Sequence, residues 1–382
     1  MAGIYIHIPF CKQACHYCNF HFSTSLVLKD KIVKSIIEEI RIRSASVDTE
    51  ISIIARDEEI ETIYFGGGTP SLLLVSEIEL ILKEIYRHHS VASGAEITLE
   101  ANPDDINSEK LREWKMAGIN RLSIGIQSFN ERDLQWMNRA HNAAQALNCI
   151  SLSREAGFAN LSIDLIFGTP GLSNEEWKKN VETVINLGIP HIACYALTVE
   201  PKTALQKMIV LEKKENINTD QQATQYAMLM EMMLAAGYEH YEISNFAKPG
   251  FRSRHNSSYW QGKKYIGIGP SAHSYNGKER MWNIAHNIRY FKAIQQKTVS
   301  FEKEILSKDQ KLDEYIMISL RTIEGMNLGY IENNFSSEDR KRIEEIIRNK
   351  VGIQFYKWED DNMILTNEGK LFADAISVQL FC

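Results

Sequence analysis

Tyr5-Ile6-His7-Ile8-Pro9-Phe10-Cys11-Lys12-Gln13-Ala14-Cys15-His16-Tyr17-Cys18 sets a β-rich run directly against three cysteines within eight residues. The other three cysteines, Cys149, Cys194 and Cys382, are scattered and read as buried or free thiols. Where thiols stay reduced, a tight cysteine trio on one loop reads as metal binding or redox chemistry before it reads as disulfides. A 4Fe–4S cluster normally takes four thiolates. Three from one loop hold three irons and leave the fourth open to an amine and a carboxylate of a small molecule. A zinc ion completed by His7, His16 or His21 is the alternative for the same residues.

Outward from this stretch the chain alternates strands and helices. Strands are expected at Gly3–Ile8, Thr62–Phe65, Glu96–Glu100, Arg121–Ile126, Leu161–Phe167 and His191–Leu197. Helices are expected at Leu28–Arg43, Ser76–His88, Ser108–Ala117, Glu131–Ala156 and Asn174–Leu187. Asn107 and Ser173 supply N-caps, and Glu176 completes a capping box with Ser173. Gly118, Gly157 and Gly188 follow helix ends, where a left-handed backbone is needed. Six such units predict an α/β chain with a parallel sheet and right-handed crossovers, a partial (β/α)6 TIM-like barrel. Chemistry in such folds gathers at the C-terminal ends of the strands. The polar residues obey that rule: the cysteines follow strand one and Gly66-Gly67-Gly68-Thr69-Pro70 follows strand two. Glu100 and Gln127 end strands three and four, and Asp164 interrupts the apolar strand five.

Residues 1–208 are therefore expected to form the barrel. Residues 209–304 form a connecting region with a helix near Gln221–Ala236 and an aromatic, glycine-rich stretch, Tyr238–Trp282. Residues 305–382 read as a small α+β module of winged-helix type, with helices Lys311–Thr322 and Glu338–Lys350, a strand turn at Asp360-Asp361-Asn362 and a last helix after Asn367. The acidic runs near Asp57–Glu61 and Glu359–Asp361 read as solvated loops. A formal charge of −6 over 382 residues and a C-terminal module without a basic face argue against a nucleic-acid partner. No apolar run spans a bilayer, and MAGIYIHIPF lacks the parts of a signal peptide. The expected compartment is the cytoplasm, with peripheral membrane contact and the choice of monomer or homodimer left open.

The Cys-x3-Cys-x2-Cys spacing after a strand resembles the radical-SAM superfamily, which implies a 4Fe–4S cluster at Cys11, Cys15 and Cys18 and S-adenosylmethionine (SAM) on its open iron. In that superfamily one electron cleaves SAM to methionine and a 5′-deoxyadenosyl radical, chemistry that belongs to the cofactor. Tyr5–Cys11, Cys15–Cys18, Gly66–Pro70, Glu100-Ala101-Asn102-Pro103, Gly125–Phe129 and Asp164–Pro170 together resemble the oxygen-independent coproporphyrinogen III oxidase (HemN-like) family over nearly the whole chain. By that resemblance Tyr5, Gly67 and Glu100 match positions for SAM at the cluster. Tyr17, Gly68, Thr69, Gln127, Arg139, Asp164 and Ala196 match positions used for a second SAM.

Two departures separate the chain from the oxidases. Phe20 stands where they carry a fourth cysteine, and only ten residues precede Cys11. Both features resemble the sister group of haem chaperones, HemW, which also carries His-Asn-x-x-Tyr-Trp, here His255-Asn256-Ser257-Ser258-Tyr259-Trp260. Haem iron takes an axial imidazole and its macrocycle packs on aromatic faces, so His255, Tyr259 and Trp260 are the haem candidates, with His273 a second imidazole. Arg252, Arg254, Lys263 and Lys264 lie close by for propionates. The implied function is delivery of haem to acceptor proteins, with an electron donor for the cluster. Oxidative decarboxylation of coproporphyrinogen III is the alternative.

Overall fold

The computed structural model describes residues 2–46 and 58–382. Six strands, β1 (Ala2–Ile8), β2 (Ile60–Gly67), β3 (Val91–Ala101), β4 (Arg121–Gln127), β5 (Asn160–Phe167) and β6 (His191–Ala196), pair in chain order and all in parallel. The crossover helices bury Ile32, Ile36, Ile81, Ile85, Trp114 and Trp177 in one apolar core with the strands. Asn107 and Ser173 cap their helices as expected, the latter with its capping box. Gly118, Gly157 and Gly188 all have positive φ.

One expected element divides. The single helix read over Glu131–Ala156 is two, Glu131–Met137 and Ala143–Glu155. Asn138 ends the first in the left-handed region at φ 60°, and Asn142 starts the second with a capping box to Gln145. Asparagine tolerates both roles because its short amide bonds to nearby backbone. Continuous apolar periodicity hid the break, and the break matters, since it frees Arg139 to turn back into the barrel.

The connecting region extends the sheet at both edges. β7 (Glu239–Glu242) and β8 (Asn245–Ala247) add beyond β6, whereas β9 (Lys264–Ile268), β10 (His273–Tyr275), β11 (Glu279–Asn283) and β12 (Phe301–Ile305) add beyond β1. The chain between β8 and β9 must therefore cross from one side of the open barrel to the other. It does so through the short helix Arg254–Trp260, which packs on β2. Buried Glu39 ties the first crossover helix to the β9–β11 edge. It accepts from Arg43 Nε (2.8 Å), Asn283 Nδ2 (2.8 Å), the Gly269 N–H (2.8 Å) and Tyr290 OH (2.7 Å). A buried carboxylate is tolerated when it is satisfied in this way.

The C-terminal module has its own apolar core around Ile316, Ile331, Ile343 and Leu365 and a three-stranded antiparallel sheet, Met326–Asn327, Asn362–Leu365 and Tyr356–Glu359. The helix Leu328–Asn334 and the short strand before it escaped sequence reading, being only one or two turns of structure. The module joins the barrel edge by backbone bonds from Ile243 N–H to Arg321 O and from Ile323 N–H to Tyr241 O, both 3.0 Å. Among the described residues no helix is long and apolar enough to cross a membrane. Of the acidic run near residue 60, Asp57 lies outside the described residues and Glu61 belongs to β2.

Candidate cluster and S-adenosylmethionine site

The cysteine loop leaves the tip of β1 and is held by backbone: Cys11 N–H bonds to Ser23 O (3.1 Å), His16 N–H to Met137 O (3.1 Å) and Leu205 N–H to His16 O (2.7 Å). Cys11, Cys15 and Cys18 are half-buried and line one cavity of about 950 Å³ at the mouth of the barrel. Thr69 Oγ1 donates to Cys11 Sγ at 3.4 Å and Arg139 Nη1 to Cys15 Sγ at 3.3 Å. Burial pushes the Cys11 thiol up to about 11 and raises Cys18 as well.

The donor set fits a three-thiolate cluster better than zinc. His7 Nε2 is bonded to His21 O (2.9 Å), His16 Nδ1 to Trp136 O (3.0 Å) and His21 Nε2 to Asn287 Oδ1 (2.8 Å). His7 has both ring nitrogens engaged, and His16 and His21 each have one held by an amide or carbonyl oxygen. The groups that do face the sulfurs are a hydroxyl and a guanidinium, which favour thiolate charge without competing as ligands.

Nine of the ten residues expected to hold SAM line the same cavity: Tyr17, Gly67, Gly68, Thr69, Glu100, Gln127, Arg139, Asp164 and Ala196. The tenth, Tyr5, lies beneath it, stacked on Tyr64 with its hydroxyl 3.3 Å from His7 Nδ1. The glycine turn is required by space. Gly67 has φ +106°, and a Cβ on Gly68 would lie 2.7–2.9 Å from the backbone of Ile8 and Phe10. Gln127 also adopts a left-handed conformation, φ 66°, the kind of strain that collects at binding sites. Arg139 spans the mouth, its Nη2 donating to Asn102 Oδ1 and Gly125 O, both 2.8 Å.

Two carboxylates share this space. Glu100 accepts from Tyr64 OH at 2.8 Å, and burial together with the Asp164 charge pushes it up to about 8. Asp164 accepts from Ser123 Oγ at 3.3 Å and is raised by burial to about 6. Arg121, buried two residues before Ser123, opposes both shifts. Above the ordinary carboxylate range these two carboxyls therefore bind more protons in the folded state than in the unfolded chain. Their contribution to stability falls as pH rises from about 4.3, the ordinary glutamate value, toward 8, while the buried neutral imidazoles of His7, His141 and His255 contribute in the opposite sense below about 6.5. The difference in urea midpoint between Glu100→Gln and the wild type should therefore grow in favour of the variant as pH rises across that window. A pH-independent difference would mean that Glu100 does not titrate in that window.

The histidine motif lies elsewhere. His255 is 1% exposed, with Nδ1 2.7 Å from Thr62 Oγ1 and Nε2 2.8 Å from Tyr259 OH. Its ring stacks on Tyr64 at 4.9 Å, and Glu96 Oε1 accepts from its backbone N–H. Neither His255 nor Tyr259 nor Trp260 lines the cavity. His273 is exposed on β10, its ring stacked on Trp282, and it too lies outside the cavity. The cations near the motif are engaged: Arg252 with Glu239 and Glu324, Lys263 with Glu61, Lys264 with Glu58, and Arg254 with Gly94 O. Sequence reading did not find Ser123, Tyr195, Tyr226, Arg321 or Lys370, which also line the cavity. Ser123 was legible as an inward position alternating with Gly125 and Gln127, whereas Arg321 and Lys370 arrive from a separate module and carry no local signal.

Residues 5–184 match the Radical SAM superfamily model, which implies a 4Fe–4S cluster and SAM. The chain is 32% identical to the Heme chaperone HemW of Mycobacterium tuberculosis, over 98% of this chain and 93% of that protein. It is 31% identical to the Heme chaperone HemW of Escherichia coli, over 99% and 97%. The solved coproporphyrinogen III oxidase (HemN) of Escherichia coli, a radical-SAM enzyme, superposes with a TM-score of 0.84 over 100% of this chain and 90% of that one, at 20% identity, which establishes the shared fold. End-to-end similarity to the first group, on a barrel whose mouth gathers three cysteines and the superfamily's glycine turn, places the chain in the HemW family of radical-SAM proteins.

Proposed function

We propose that this protein is a haem chaperone that binds haem and passes it to acceptor proteins in the cytoplasm, with a 4Fe–4S cluster on Cys11, Cys15 and Cys18 and SAM in the barrel mouth. The observation that carries the reading is the similarity to HemW proteins over essentially the whole chain. The cavity supports it: about 950 Å³ is at the upper end of small-molecule sites, about 300–1,000 Å³. His255 ligates iron only if one of its two bonds, to Thr62 or to Tyr259, first breaks. An electron donor for the cluster and the haem acceptors are the partners this reading requires.

The oxidase reading draws on the shared fold. Phe20, 66% exposed on the cavity rim, opposes it, because the oxidase pattern has cysteine there. The two are separated anaerobically. The reconstituted protein should bind haem with a distinct absorbance spectrum, and should form no stoichiometric protoporphyrinogen from coproporphyrinogen III with SAM and reductant. Formation of that product, or the absence of any haem spectrum, would defeat the chaperone reading.

A further inference from the structure

The cavity extends past the strand tips to the C-terminal module, which contributes Arg321, Lys370, Leu371 and Phe372 to its wall. Lys370 is the unusual group. Its Nζ lies 2.9 Å from His240 Nδ1. His240 Nε2 lies 3.1 Å from Ile243 O, which places the ring proton on Nε2 and leaves Nδ1 to accept. A neutral imidazole orients an ammonium group without neutralising it. Among the described residues no carboxylate pairs with Lys370, and burial with the Lys357 charge lowers it to about 8.

Arg321 stands on the same wall. Its Nη1 meets Asp374, whose side chain is 82% exposed, while its Nε is buried without a hydrogen-bond partner. Behind it lies the ring of Trp260, 5.8 Å from the guanidinium carbon. Trp260 ends the His255–Trp260 motif, whose His255 and Tyr259 lock the helix under the barrel. Nearby Glu242 is committed to Ser244 N–H and Asn245 Nδ2. Lys370 has no carboxylate partner among the described residues and Arg321 pairs with the exposed Asp374, which lines the cavity too; both cations face a space flanked by Phe20 and Phe372, 66% and 49% exposed. A flat apolar body carrying carboxylates matches that surface.

We propose that Lys370 and Arg321 form a carboxylate-binding end of the cavity that takes the propionate groups of haem, and that Trp260 holds Arg321 in place from behind. This rests on the haem-chaperone reading and gives the motif a positioning role instead of an axial one. The test compares ferric haem with its dimethyl ester, whose propionates carry no charge, by absorbance titration of the reconstituted full-length protein. Lys370→Gln should weaken haem binding by about tenfold, the scale of one charge-assisted contact, and leave ester binding at the wild-type value. Lys370→Arg should retain haem. Arg321→Gln should act in the same direction as Lys370→Gln. The change that SAM causes in the spectrum of the reduced cluster should persist in all three, which also reports that they fold. Wild-type affinity for haem in Lys370→Gln, equal affinity of the wild type for acid and ester, or loss of the SAM response instead of haem binding would overturn the proposal. Failure of the wild type to bind either porphyrin would defeat the haem reading itself, and this proposal with it.

Discussion

Replacing Cys15 by alanine is expected to abolish the 4Fe–4S cluster while leaving the barrel folded. Cys15 sits on a loop whose three cysteines are half-buried and contribute nothing to the apolar core, which runs through β1, β2 and the crossover helices. Secondary structure and thermal unfolding of the metal-free protein should therefore match the wild type closely. Two remaining thiolates leave two irons without protein ligands. Iron and sulfide content after anaerobic reconstitution should fall to about a tenth of the wild type or less, given that each iron of such a cluster normally has its own thiolate. The electron paramagnetic resonance signal of the reduced protein, and its change on adding SAM, should vanish together. Arg139 loses one partner, Cys15 Sγ, but keeps Asn102 and Gly125, so the cavity wall should persist. Full cluster content in Cys15→Ala would mean that the ligands lie elsewhere, and a stoichiometric zinc ion in the wild type would refute the cluster assignment.

His255→Ala is the second large effect, and it is expected in stability. The substitution empties a site that is 1% exposed and leaves Thr62 Oγ1 and Tyr259 OH without the partners they hold at 2.7 and 2.8 Å. It also removes the stacking on Tyr64 at 4.9 Å. A void plus two stranded buried groups costs about 3–5 kcal/mol, enough to lower the urea midpoint markedly in a domain of ordinary stability. Burial holds the imidazole at about 3, so the neutral ring is the one packed. His273→Ala, by contrast, removes an exposed ring on a peripheral strand and should leave the midpoint within about 0.5 kcal/mol of the wild type. Chemical unfolding of both variants checks the pair. Wild-type stability in His255→Ala combined with loss of the haem spectrum would instead show that the helix Arg254–Trp260 opens and that His255 ligates iron.

The contrast between these two sites explains what could be read without coordinates. The cysteine loop, the glycine turn and the strand-end carboxylates each follow a strand by a few residues, so knowing the strands places them at one end of the barrel. That inference needs only the rule that parallel βα units all point the same way. Arg139 was found as a residue, although the helix break at Asn138 that turns it inward was not, because continuous apolar spacing concealed a left-handed asparagine. His255 was found as a motif and read as an open imidazole. Its burial follows from the path of the chain between β8 and β9 across the barrel, which no local pattern encodes.

Local chemistry alone thus determined the six parallel strands, the cysteine trio, the glycine turn and the strand-end Glu100, Gln127 and Asp164, since periodicity, caps and strand-end placement act over distances of a few residues, while Tyr5, Tyr17 and Ala196 rested on the family resemblance. Tertiary structure decided which imidazoles are engaged, which cations are compensated and which wall of the cavity the C-terminal module supplies. Lys263 and Lys370 are indistinguishable as letters; one meets Glu61 and the other a neutral histidine. Charge compensation depends on groups brought together from distant parts of the chain, and only the folded arrangement of those parts fixes it.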